Sequence, residues 1–180
     1  TGVSLVFGLR DAGSPTVILQ LEDSTGAKDQ VTLTGVDGTE RFWRVDTSLF
    51  DDINLSLLTG IVFLLVEGNL TDPTSTLEVR LGNQPFIPTV PPDATQSAAD
   101  ISLLEDILHL VSFDSEPPNP PGTVGLTQHS QTRFDLVYDL ATEDSFGGSI
   151  SSFDDFGTEL VKETKDLTGV SLVFGLRDAG

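Results

Sequence analysis

Cysteine is absent from this 180-residue chain, which excludes disulfides, thiolate catalysis and cysteine-ligated zinc. It does not exclude secretion, because many surface proteins of bacteria hold their fold without disulfides. Basic residues are scarce: 9 against 28 acidic ones leave a net charge of −19, so nucleic acid and anionic membrane surfaces are poor partners. There is one tryptophan and one tyrosine. No apolar run approaches the ~18–20 residues of a membrane-spanning helix, so no membrane insertion is expected. No signal peptide is visible, which carries no weight for a segment of a longer chain.

What is present is enough to fold. A hydrophobic content of 38% argues against wholesale disorder. The first thirteen residues, TGVSLVFGLRDAG, return letter for letter as 168–180. A recurrence offset by 167 residues is one domain plus a connector, far beyond the units of solenoids or propellers. The chain therefore reads as one period of a tandem array, running just past the point where the unit restarts.

Residues 1–90 carry strand patterns. Val3, Leu5, Phe7 and Leu9 share one face of 2–9, and Val17, Leu19 and Leu21 one face of 16–22. Asp23-Ser24-Thr25-Gly26 is a turn signal leading to a returning strand at 30–34. Further strands are expected at 40–46, 61–67 and 75–81. The run at 61–67, IVFLLVE, is apolar on both faces and should be central. Short strands at this spacing predict an all-β sandwich or barrel.

Residues 91–130 read as a proline-rich linker, with clusters at 85–92 and 117–121 too dense for a paired strand. Between them, 98–111 predicts one short helix, with Ser97 as N-cap and a stripe of Ile101, Leu104, Ile107, Leu108 and Val111. Strand patterning resumes over 131–180 with 134–140, a Gly147-Gly148 turn, 149–156 and the repeated strand. Residues 131–180 followed by 14–90 make a natural folding unit, so 131–180 can open the sandwich of the next period. The same piece can equally fold back on its own chain through the long linker.

Joined in that order, FDLVYDLATEDSFGGSISSF, DLTGVSLVFGLRDAGSPTVILQLEDSTG, TERFWRVDTSLFDDINLSLLTGIVFLLVEG and TLEVRLGN resemble the carbohydrate-binding modules of the galactose-binding-like jelly-roll superfamily. The resemblance covers the strands and omits the linker and helix. It implies a jelly-roll β-sandwich and, in many members, a structural calcium ion held between first and last strands. Carried over by position, its ligands would be Asp139, Glu143 and Asp144 after the opening strand and Glu78 on the closing one. The other reading of these residues is a solvated acidic loop. Sugar-binding members use exposed Trp or Tyr platforms; Trp43 and Tyr138 read here more readily as core aromatics.

Catalytic constellations are not found. His109 falls on the expected helix and His129 in the polar linker, without partners for base or ligand roles. The acid pairs Asp51-Asp52 and Asp154-Asp155 are adjacent, so in a strand they would point to opposite faces. Asn54-Leu55-Ser56 and Asn69-Leu70-Thr71 match the N-glycosylation pattern. The expectation is a non-enzymatic structural repeat of a secreted or cell-surface protein, assembling head-to-tail with copies of itself so that its C-terminal strands complete the next sandwich. The alternative is a carbohydrate-binding module that anchors a larger extracellular protein to polysaccharide.

Overall fold

The computed structural model describes residues 4–11, 13, 16–39, 41–80, 109–130 and 133–152. Among the described residues, ten strands follow in chain order: β1 Ser4–Arg10, β2 Thr16–Asp23, β3 Lys28–Thr34, β4 Arg41–Asp46, β5 Leu58–Val66, β6 Thr74–Arg80, β7 His109–Asp114, β8 Thr123–Ser130, β9 Arg133–Asp139 and β10 Phe146–Ser152. They form two five-stranded antiparallel sheets, ordered β4-β1-β6-β9-β8 and β3-β2-β5-β10-β7. The protein is an all-β sandwich.

Period-2 alternation builds the interlayer core. In β2, Val17, Leu19 and Leu21 are fully buried while Thr16, Ile18, Gln20 and Glu22 are half-exposed on the other face. Ile61, Phe63 and Leu65 of β5 meet Phe134, Leu136 and Tyr138 of β9 within one core cluster. The rings of Phe63 and Phe134, one from each sheet, pack edge to face with centroids 6.4 Å apart. As its doubly apolar sequence predicts, β5 is the middle strand of its sheet.

The β2–β3 hairpin is set by Asp23. Its Oδ1 accepts hydrogen bonds from the N–H and hydroxyl of Thr25 and the N–H of Ala27, and its Oδ2 accepts one from the N–H of Asn54. Gly26 supplies the positive φ of 84° the turn needs.

Three expectations change. Residues 109–111, placed at the end of a helix by the apolar stripe, begin strand β7; residues 98–108 lie outside the described residues, and the described residues contain no α-helix. HLVSFD alternates as well as it spirals, and pairing with β10 decides in favour of a strand. Likewise 123–130 is no linker: TVGLTQHS turns Val124 and Leu126 into the core and pairs with β9. The prolines at 117–121 occupy the β7–β8 connection, closed by bonds from Asn119 N–H to Glu116 O and from Gly122 N–H to Ser115 O.

Gly147 and Gly148 are not a turn but part of β10. A Cβ on Gly148 would lie 1.9 Å from the Phe63 carbonyl oxygen, and one on Gly147 2.4 Å from Val124 Cγ2. Here glycine answers close approach, and the turn lies just before, where Asp144 takes a φ of 63°. β9 and β10 pair with β6 and β5 of the same chain, so 133–152 completes its own sandwich.

Candidate functional site

Two features of the sandwich have the form of sites: the position held by β1, and a trough on the outer face of the second sheet.

β1 is an interior strand, paired with β4 on one side from Ser4 to Leu9 and with β6 on the other from Gly8 to Arg10. Its end is fastened by Asp11, which is fully buried. Asp11 Oδ2 accepts a 2.7 Å hydrogen bond from the Tyr138 hydroxyl, and Oδ1 accepts 2.7 Å bonds from the Ser75 hydroxyl and the Gly13 N–H. Burial, and then the adjacent Asp11 charge, push the Tyr138 hydroxyl far above its ordinary value, so it stays a protonated donor. Gly13 O accepts from the N–H groups of Thr71 and Asp72 and from the Thr71 hydroxyl. A Cβ at Gly13 would come within 2.7 Å of Ser75 Cβ and 2.9 Å of both Asp72 O and the Tyr138 hydroxyl.

The trough encloses about 660 Å³. Val62 and Leu64 of β5, Phe146 and Ile150 of β10, and Val111 and Phe113 of β7 form its apolar part. Register explains the depression, because Gly148 stands between Leu64 and Phe113 and brings no side chain. Along the β2–β3 side lie Gln20, Glu22 and Lys28; Gln20 Nε2 donates to Glu22 Oε1 at 2.8 Å, and Lys28 Nζ pairs with the same oxygen at 2.6 Å. Apolar walls, two phenyl rings and a ready-made donor–acceptor group make a surface for an amphipathic ligand.

The four residues aligned with a calcium site are not gathered. Asp139, Glu143 and Asp144 are exposed near the β9–β10 turn. Thr74 faces Asp139, whereas Glu78 faces Asp135 four residues along β6, about 13 Å away at strand rise. Glu78 is buried in a charged row, with Arg133 Nη2 3.7 Å from its carboxylate and His129 Nε2 2.5 Å from neighbouring Asp135. Among the described residues, the acidic group that does converge is Asp29, Asp51 and Asp52, whose carboxylate oxygens lie within 4.8 Å of one another. None of these three is among the residues that the resemblance aligns with calcium.

Tyr138 is core, as expected, but its hydroxyl has the anchoring task that the sequence pattern did not indicate. Trp43 packs partly buried against the core. His109 opens β7 and His129 lies in β8. Asn54 is exposed and caps the 3-10 turn Leu55–Leu57, its Oδ1 accepting from the N–H and hydroxyl of Ser56. Asn69 ends the 3-10 turn Glu67–Asn69. Asp154 and Asp155 lie outside the described residues. No helix among the described residues is long and apolar enough to cross a membrane. No family model, no curated protein and no solved structure matches the chain.

Proposed function

We propose that this chain is a structural repeat unit of a secreted or cell-surface protein whose units join head-to-tail, with 168–180 of one unit occupying the β1 position of the next. The observation that carries this reading is the interior place of β1. A sandwich whose β1 position were empty would expose the edges of β4 and β6 and open the core between them. The chain carries the sequence that fills this place twice, at 1–13 and at 168–180. A contact between different surfaces of successive units does not close on itself, so repetition yields an open array or filament. The net charge of −19 keeps each unit soluble and sets like charges against one another, so joining has to be carried by the strand contact. Light scattering over a concentration series, with and without 168–180, tests the proposal. Growth in mass only in the complete chain supports it; an unchanged monomer in both overturns it.

A second reading is favoured by the trough: a non-catalytic module of the galactose-binding-like jelly-roll kind that anchors a larger protein to polysaccharide. Phe113 and Phe146 offer apolar faces to sugar C–H groups, while Gln20, Glu22 and Lys28 offer hydrogen-bonding partners to hydroxyls. Affinity electrophoresis against a panel of polysaccharides tests it, and free migration through all of them counts against it.

A further inference from the structure

Resting on the head-to-tail reading, we infer that Ser75, Tyr138 and the Thr71–Asp72 backbone form a receptor for an Asp-x-Gly strand end, and that its ligand is Asp178 and Gly180 of a second copy. The segment 168–180 repeats Asp11 as Asp178 and Gly13 as Gly180, so it carries every group the receptor reads. The aspartate satisfies two hydroxyl donors in a buried place, one from β6 and one from β9. Glycine two residues later is required because any side chain would collide with Ser75, Asp72 and Tyr138. Its carbonyl is held by three donors from the β5–β6 connection.

A β-ladder alone sets register weakly, since main-chain bonds are the same after a two-residue slip that keeps the same face inward. The receptor removes that ambiguity. A strand displaced by two residues puts neither the carboxylate against Tyr138 nor the glycine in its cradle. It thus selects the repeated segment over other apolar strands and fixes where each unit follows the last. The resident β1 and the incoming copy compete for one place, and the resident one has the advantage of its tether.

Sedimentation of the complete chain over a concentration series, with three variants beside the wild type, tests this. Asp178→Ala is expected to weaken association about tenfold or more, the size of losing charge-assisted hydrogen bonds. Asp11→Ala, which loosens the resident strand, is expected to strengthen association. In a Tyr138→Phe background, Asp178→Ala is expected to cost markedly less than in the wild type, as coupled partners require. Circular dichroism of the Asp178→Ala variant checks that its fold is that of the wild type. Wild-type association with an unchanged Asp178→Ala constant overturns the receptor while leaving the head-to-tail reading in place. A wild type that stays monomeric throughout overturns both.

Discussion

The hydroxyl of Tyr138 reaches across 127 residues of sequence to donate a 2.7 Å hydrogen bond to Asp11 Oδ2, joining the end of β1 to β9. A strand near one end of the sandwich's sequence is thereby tied to one near the other.

Tyr138→Phe keeps the ring in the core and removes the donor. Leaving the buried Asp11 carboxylate short of one charge-assisted bond should cost about 1.5–3 kcal/mol at pH 8 by urea unfolding. The pH dependence follows from the raised Tyr138 value. Above pH ~10 the unfolded tyrosine releases its proton while the folded one keeps it, so wild-type stability falls by up to about 1.4 kcal/mol per pH unit. Phenylalanine has no such loss. The gap between wild type and variant should narrow between pH 10 and 11; a constant gap would contradict the assignment.

Asp23→Ala should destabilise the β2–β3 hairpin and its tie to Asn54 by about 2 kcal/mol at pH 7. The Thr25 hydroxyl first, and then the Asn54 N–H, hold the Asp23 carboxyl below its ordinary 3.8. A lowered folded value stabilises above the unfolded one and is lost as pH falls through it. The difference between wild type and variant, read from urea midpoints, should therefore shrink below about pH 4.

Gly148→Ala should be among the most damaging single-methyl additions, costing more than about 3 kcal/mol or preventing folding, because the new Cβ meets the Phe63 carbonyl at 1.9 Å. Gly68→Ala, with nothing within 4 Å, should stay within about 0.5 kcal/mol of wild type. Thermal melts of the two variants make the comparison.

Phe113→Ser and Phe146→Ser remove half-exposed rings from the trough and should leave the fold intact. For any polysaccharide that retards the wild type in affinity electrophoresis, each change should abolish most of the retardation. Unaltered retardation would place the ligand elsewhere.

The strands with clean alternation were legible in advance: 2–9, 16–22 and 134–140 name β1, β2 and β9 within two residues. β10 was half hidden. Its inward positions hold Gly147, Ser149 and Ser151, small residues with the composition of a loop, and at Gly147 the closeness of Val124 from the other sheet explains the choice. β7 and β8 were concealed by the prolines between them, whose density suggested one long linker where there is a short connection between strands of different sheets. The trough could not be read at all, since it arises where β2, β5, β10 and β7 happen to lie side by side. The duplicated segment announced itself, but the anchor at its end did not. Nothing local marks Asp11 as the partner of Tyr138.

Being flanked on both sides gives β1 a mechanical character. In the proposed head-to-tail array, tension would enter a module through the strand that opens it. Pulled out of the sheet, β1 must give up its ladder with β4 over Ser4–Leu9 and its ladder with β6 over Gly8–Arg10, and Asp11 must part from Tyr138. In the proposed array, a module held in this way would resist load through the end of β1.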